Sequence, residues 1–148
     1  EGEQQELLRR FQTMDEAVLG IVMGGVFGES IDLGSNALAG VVVVSMALPP
    51  HDLVKTLTSE HFDQTHGSGW GQQVAYLQPA LSRIVQAAGR VIRGPQDRGV
   101  LCLVDPRFAD PTLGAFFPEH WQVQQCRATD AENYLKSFWS NDLSGTGD

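Results

Sequence analysis

The feature that most constrains the fold is a strand–helix–strand order in the middle of the chain. Residues 41–46 form a continuous β-branched apolar run, the pattern of a strand that is covered on both faces. Residues 77–93 carry apolar side chains at helical spacing, and residues 100–104 form another apolar run. Strands that alternate with helices predict an α/β fold with a parallel sheet and helices on both faces.

The remaining segments extend this prediction over a single domain of residues 1–148. Residues 18–27 are predicted to form a third buried strand, and residues 3–14 and 129–139 to form helices. Thr129 followed by Glu132 predicts a capping box at the start of the last helix. Residues 51–73 are expected to be an irregular excursion with some helix, and residues 140–148 a frayed tail. Three strands make a small sheet, which suggests that part of the domain lies upstream.

The charge of the chain argues against a free-standing DNA-binding protein. The net charge is −8 and only ten residues are Lys or Arg, whereas such proteins are usually basic. Half of the basic residues are nevertheless arginines within residues 83–107, so a local positive site is compatible with the negative total. Arg98 and Arg107 in this stretch are expected to hold the ends of strands.

Targeting and metal signals are weak. The longest apolar run is too short to span a membrane, and no secretion leader precedes the fold, so we expect a cytoplasmic protein. Cys102 and Cys126 do not have a zinc or iron–sulfur spacing. A metal site at His61 and His66, beside Glu60 and Asp63, is conceivable, but the scattered histidines favour no metal site.

The helix predicted over residues 77–93 has two opposite faces. At about 100° per residue, Gln86, Arg90 and Arg93 fall on one side. A solvated polar face is the ordinary interpretation, but two arginines beside a glutamine also suit an anion, and Gly89 leaves room beside Arg90. The opposite side is an apolar stripe of Leu77, Leu81, Ile84, Ala88 and Val91.

Two segments carry a resemblance to a known family. Residues 86–93, Q-A-A-G-R-V-I-R, resemble helicase motif VI, and D-R-G-V at 97–100 with D-P-R-F at 105–108 are similar to its continuation in the DinG/XPD family. Upstream, G-V-F-G-E-S-I-D-L at 25–33 resembles motif V of that family, with Ser30 in place of the usual glycine. Over residues 5–121 the chain therefore resembles the second motor lobe, or part of it, of a superfamily 2 DNA helicase.

The resemblance implies a RecA-like lobe and a role for each matching residue. Arg93 would be the arginine finger and Arg90 a second contact to the γ-phosphate of ATP. Gln86 would orient Arg90 or the attacking water. Asp32, and with it Glu29, would link the ribose of the nucleotide or the motif VI arginines to the side that faces DNA.

The chain lacks the other half of an ATP site. No G-x-x-x-x-G-K-[ST] or D-E-x-H segment occurs, and the glycine run that ends at Gly28 has the shape of a phosphate loop without its lysine. The resemblance implies that ATP and Mg²⁺ are bound mainly by a first helicase lobe, which would also carry any iron–sulfur cluster. That lobe and single-stranded DNA are the expected partners, with no membrane.

Two classes of function remain open at this point. One is a motor lobe that is part of an ATP-dependent DNA helicase and is inactive as an isolated fragment. The other is a stand-alone nucleic-acid-binding or regulatory module without turnover. An upstream segment with both missing motifs in the same reading frame would distinguish the first class from the second.

Overall fold

A computed structural model describes residues 2–25, 38–92, 94 and 97–140. The chain forms two compact units, Glu1–Phe117 and Pro118–Asp148. None of the helices in the described ranges combines the length and the apolar character that a membrane span requires. In the first unit the elements are α1 (Gly2–Thr13), β1 (Gly40–Val44), α2 (Leu53–His66), α3 (Trp70–Gln72), a π-helical turn (Gln73–Leu77), α4 (Gln78–Ala88), β2 (Val100–Val104) and two 3₁₀ turns (Pro106–Ala109 and Pro111–Phe116).

The sheet joins β1 and β2 in parallel, with a register that runs from Gly40 opposite Val100 to Val44 opposite Val104. This arrangement confirms the α/β class and a parallel pairing around a helical crossover. The expected coverage of β1 on both faces is wrong, because Val43 is 3% exposed whereas Val42 and Val44 are 66% and 73% exposed. Successive side chains of a strand point to opposite faces, and in the described residues only one of those faces is packed.

The strand predicted for residues 18–27 is wrong for its described part. Val18 is fully exposed, and the chain turns at residues 23–25, where the Gly25 N–H donates to the Val22 carbonyl at 3.1 Å. Gly24 has a φ of +82°, a left-handed conformation that a strand does not contain. The apolar composition therefore did not predict the structure of this segment correctly, because the Gly-Gly pair permits a turn. Residues 26 and 27 lie outside the described residues.

The expected excursion over residues 51–73 is mostly helix. Asp52 caps α2, since its side chain accepts a hydrogen bond from the Lys55 N–H at 2.8 Å. The helix ends at Gly67, which has a φ of +105°. No side chain of α2 is fully buried. The segment therefore lacks the apolar stripe at helical spacing from which a helix could have been predicted.

The helix predicted over residues 77–93 both begins and ends earlier, over residues 70–88. Its start is fixed by Asp63, whose carboxylate accepts from the Gly69 and Gly71 N–H groups at 2.8 and 2.9 Å. Asp63 is thus a capping residue. Among the described residues, no group of three or more His, Cys, Asp or Glu side chains is placed to hold a metal.

A π-helical turn inside this helix accommodates a proline. Pro79 lies in the first turn of α4 and has no N–H to donate to Ala75, four residues earlier. The turn at Gln73–Leu77 widens the backbone so that the Gln78 N–H bonds the Gln73 carbonyl, five residues back. The helix continues past the proline without a break.

The core lies between the packed face of the sheet and α4. Leu81 and Ile84 are 1% and 0% exposed, and Ala88 and Val91 are also buried. The apolar stripe expected from the helical wheel is therefore confirmed. The other buried members of this core are Val43, Met46 and Leu113.

The second unit contains α5 (Ala128–Ser140), close to the helix predicted over residues 129–139. The capping box is wrong, because it needs Thr129 just before the helix, whereas the helix already includes it. The Thr129 hydroxyl instead donates to Asp130 within the first turn, at 3.3 Å.

Candidate functional site

The end of α4 carries Gln86 and Arg90. Beyond Ala88 the chain closes in a tighter turn, in which the Arg90 N–H bonds the Ala87 carbonyl at 3.2 Å and the Val91 N–H bonds the Ala88 carbonyl at 2.9 Å. Arg90 is therefore on this closing turn, so its predicted place on one side of a regular helix does not apply. Gln86 is exposed and Arg90 is half-buried.

This turn is fixed to the amino ends of the two strands. Val91 is 3% exposed, and a Cβ atom on Gly99 would overlap its Cγ1. The same Cβ position lies 3.2 Å from the Ala39 carbonyl, just before β1. Only glycine at position 99 leaves room for Val91 and the Ala39 carbonyl to lie this close to the backbone. Arg90 therefore projects from a segment that its neighbour Val91 anchors.

The other residues expected from the resemblance lie outside the described residues. They are Gly28, Glu29 and Asp32 in the motif V segment, and Arg93 at the end of motif VI. Their roles stay predictions. The described structure reaches Gly25, the first residue of the motif V segment.

Arg83 on α4 lies near Gly24, which precedes the motif V segment. The Nη1 atom of Arg83 lies 3.4 Å from the position that a Cβ atom on Gly24 would take, and its Cζ atom lies 3.5 Å away. The Arg83 guanidinium therefore lies near the turn at residues 23–25. No local sequence signal beyond the Gly-Gly dipeptide predicts that these two residues lie near each other.

The D-P-R-F segment holds the carboxyl ends of the strands together. Asp105 follows β2 and accepts from Arg107 at Nε and Nη2, at 2.8 and 2.6 Å. Arg107 also reaches the Ser45 hydroxyl, just after β1, at 3.3 Å. The side-chain hydrogen bond from Arg107 lowers the pKa of Asp105 to about 2. The expectation that Arg107 holds strand ends is confirmed.

A separate cleft of about 340 Å³ lies beside α2, away from the motif residues. On one wall the Tyr76 hydroxyl is 3.0 Å from His51 Nδ1, and the two rings are 4.7 Å apart. The other lining residues include Leu48, Pro49, Ser59 and Glu60. This hydrogen bond connects the segment after β1 to the π-helical turn.

The motifs and the fold place the chain in a known class of domain. Residues 1–124 match the helicase C-terminal domain family, and the chain belongs to that family. No solved structure matches it significantly.

The curated relatives that match this chain include helicases and a DinG exonuclease, and they are longer than the chain. A probable ATP-dependent helicase of Methanocaldococcus jannaschii is 35% identical over 117 residues, which cover 73% of this chain and 17% of the relative. Human regulator of telomere elongation helicase 1 is 34% identical over 116 residues, 74% of this chain and 9% of the relative. The 3′-5′ exonuclease DinG of Staphylococcus epidermidis is 22% identical over 138 residues, 92% of this chain and 14% of the relative. The chain thus spans less than a fifth of the length of these relatives.

Proposed function

We propose that this chain is the second, RecA-like motor lobe of an ATP-dependent DNA helicase. In this proposal Arg93 is the arginine finger and Arg90 a second phosphate contact, at an ATP site that a first lobe completes. Gln86 orients Arg90 or the attacking water, while Asp32 and Glu29 couple the nucleotide to the DNA-facing side. Membership of the helicase C-terminal domain family and the helicase relatives support the assignment as a motor lobe.

The observation that carries the proposal is the division of roles along the motif VI segment. Ile84, Ala88 and Val91 are buried, and they fix the helix and its closing turn to the sheet. Gln86 is exposed on the same segment, and Arg90 is half-buried. A rigidly packed helix with polar side chains at its surface is suited to hold arginine side chains against a nucleotide bound by another lobe.

The chemistry follows from the charge that develops in phosphoryl transfer. Arginine forks stabilise the oxygens of the transferred phosphoryl group, whereas a phosphate loop and metal ligands hold the nucleotide and Mg²⁺. This chain offers the arginines, and we assign the phosphate loop and the Mg²⁺ ligands to the first lobe. The expected consequence is that the isolated chain hydrolyses ATP at no more than background rate.

The test is a substitution in the full-length protein that contains this chain. Arg93→Ala is expected to lower the ATP turnover rate by about 10³-fold, the scale of a lost arginine finger, without a change in melting temperature. Arg10→Ala on α1 is the matched control, because it removes the same charge from an exposed position outside the motifs. Normal turnover of Arg93→Ala together with a lowered melting temperature would make Arg93 a structural residue and refute the assignment.

A binding measurement separates this function from a stand-alone DNA-binding module. With a net charge of −8, the isolated chain is expected to bind a labelled single-stranded oligonucleotide only weakly, with Kd in the range of about 10⁻⁴ to 10⁻⁶ M. Fluorescence anisotropy at moderate salt measures this. Nanomolar affinity would favour the module over the motor lobe.

A further inference from the structure

Gly99 lies where the closing turn of α4 meets the amino ends of both strands. A Cβ atom at position 99 would overlap Cγ1 of Val91, so that methyl group lies against the Gly99 backbone itself. On another side the same Cβ would lie 3.2 Å from the Ala39 carbonyl oxygen and 3.4 Å from the Leu38 carbonyl oxygen. The φ of Gly99 is outside the left-handed range, so the position requires glycine for space alone.

The sheet fixes the Gly99 side of this contact. The N–H of Val100, the next residue in the chain, bonds the Ala39 carbonyl at 3.1 Å. Val100 also pairs with Gly40, where the register of β1 and β2 begins. Gly99 therefore cannot shift without loss of the pairing that starts the sheet, and a side chain at position 99 displaces Val91 instead.

Val91 has little freedom to give way by itself. It is β-branched and 3% exposed, so its methyl groups cannot turn away into solvent. Its N–H bonds the Ala88 carbonyl at 2.9 Å and the Arg90 N–H bonds the Ala87 carbonyl at 3.2 Å, so both residues belong to one hydrogen-bonded turn. Carbon atoms in ordinary contact lie about 3.5 Å apart, and relief of the overlap at position 99 therefore moves this turn by about 1 Å.

We propose that Gly99 is a positioning residue for Arg90. The missing side chain lets Val91 pack against the start of β2, and the turn that this contact fixes sets the place from which the Arg90 side chain reaches a phosphate group. Gly99 has no side chain to offer a ligand, so it acts through Val91. This role rests on the proposed function, because Arg90 has a phosphate to contact only at an ATP site that a first lobe completes.

Gly99→Ala in the full-length protein tests the effect of this displacement on turnover. A misplacement of about 1 Å at a phosphate contact costs about 10²-fold in rate, so kcat for ATP hydrolysis is expected to fall by about that factor. KM for ATP is expected to change by less than about threefold, because we assign the binding of the nucleotide mainly to the first lobe. A wild-type kcat for Gly99→Ala would overturn the proposal.

Gly71→Ala is the matched control for a loss of stability. A Cβ atom on Gly71 would overlap the carbonyl oxygen of Ser59 where α3 crosses α2, so this variant has a comparable overlap outside the motif VI segment. Both variants are expected to melt at a lower temperature than the wild type. Only Gly99→Ala is expected to lose turnover when the assay temperature is well below the melting temperature. An equal loss of kcat in the two folded variants would show a merely structural role and refute positioning.

A second substitution that removes the overlapping atom shows whether Gly99 acts through Val91. Val91→Ala lacks Cγ1, so the space that it leaves can take the methyl group of Gly99→Ala. The double variant is therefore expected to recover kcat by about tenfold relative to Gly99→Ala. It is also expected to fold, even where Gly99→Ala alone does not. A double variant no better than Gly99→Ala, or one whose loss equals the product of the separate effects, would overturn the proposal.

Hydrogen exchange gives a readout that is independent of turnover. The N–H groups of residues 90–92 bond the Ala87 and Ala88 carbonyls at 2.9–3.3 Å, so their exchange reports whether the closing turn is formed. Gly99→Ala is expected to speed exchange in a peptide that contains these residues, whereas Gly71→Ala is not. Unchanged exchange in Gly99→Ala would overturn the proposal.

Substitution of the arginines separates failure of this inference from failure of the proposed function. If Arg90→Ala and Arg93→Ala both kept the wild-type turnover rate, the proposed function itself would fail. An inactive Arg90→Ala beside a fully active Gly99→Ala would refute the positioning role alone.

Discussion

The crossing of α2 and α3 predicts an unusually large effect for one added methyl group. Gly71 lies within α3 and is buried against α2, and a Cβ atom there would overlap the carbonyl oxygen of Ser59. That oxygen belongs to the backbone of α2, so the overlap is relieved only if the two helices separate. Gly71→Ala is therefore expected to disrupt the crossing, even though alanine is the better helix former.

The magnitude follows from two opposing contributions to the free energy of unfolding. Overpacking of this kind costs about 1–3 kcal/mol, and the backbone contact at Ser59 places Gly71→Ala at the upper end. The higher helix propensity of alanine offsets about 1 kcal/mol. The net expected destabilisation is about 2 kcal/mol.

Urea unfolding followed by circular dichroism measures this change, and a second glycine provides the control. A loss of about 2 kcal/mol lowers the urea midpoint by about 1 M for an m-value near 2 kcal/mol/M. Gly89 has a φ of −62°, and its Cβ position has only ordinary contacts at 3.5 Å. Gly89→Ala is therefore expected to be neutral or to stabilise by about 0.5 kcal/mol. Equal midpoints for the two variants would refute the close-crossing argument.

Three further predictions concern polar contacts that fix the elements. Asp52→Ala removes the side-chain cap of α2 and is expected to lower the free energy of unfolding by about 1 kcal/mol in urea titrations; no change would mean that the cap is dispensable. Tyr76→Phe removes the 3.0 Å hydrogen bond to His51 and is expected to cost about 1 kcal/mol by the same assay, with an unaltered midpoint as the contrary result. Because Arg107 lowers the pKa of Asp105 from 3.8 to about 2, the pair stabilises the fold fully above about pH 4 and loses this contribution as the pH falls towards 2. The difference in urea midpoint between the wild type and Arg107→Ala is expected to shrink over that range, and a constant difference would contradict the ion pair.

The strand–helix–strand centre of the fold was predictable because its signals are local. The β-branched run predicted β1, and the apolar stripe of α4 predicted the core residues Leu81 and Ile84. The helix start was not predictable in the same way, since it depends on Asp63 reaching across Gly67 to cap the next helix. The strand predicted over residues 18–27 had the right composition, but in its described part, residues 18–25, the chain turns at Gly24.

The candidate site was predictable only as a set of motif residues. Spacing placed Gln86 on a polar face, and the structure has it exposed. The tighter turn at Arg90 was not predictable, because a helical wheel assumes a regular helix up to its last residue. Arg83 lies near Gly24, 59 positions earlier in the chain, and no local periodicity predicts a proximity over that separation.

The outward valines of β1 have a consequence for the behaviour of the chain in concentrated solution. Val42 and Val44 are 66% and 73% exposed, and Val104 beside them on β2 is 53% exposed. An uncharged, β-branched, solvent-facing apolar surface favours face-to-face packing of such surfaces between molecules. Self-association through this surface is therefore expected to limit the concentration of the 148-residue chain before thermal unfolding does. Replacement of Val42 by lysine, a charge on the solvent face, is the substitution that would raise its solubility.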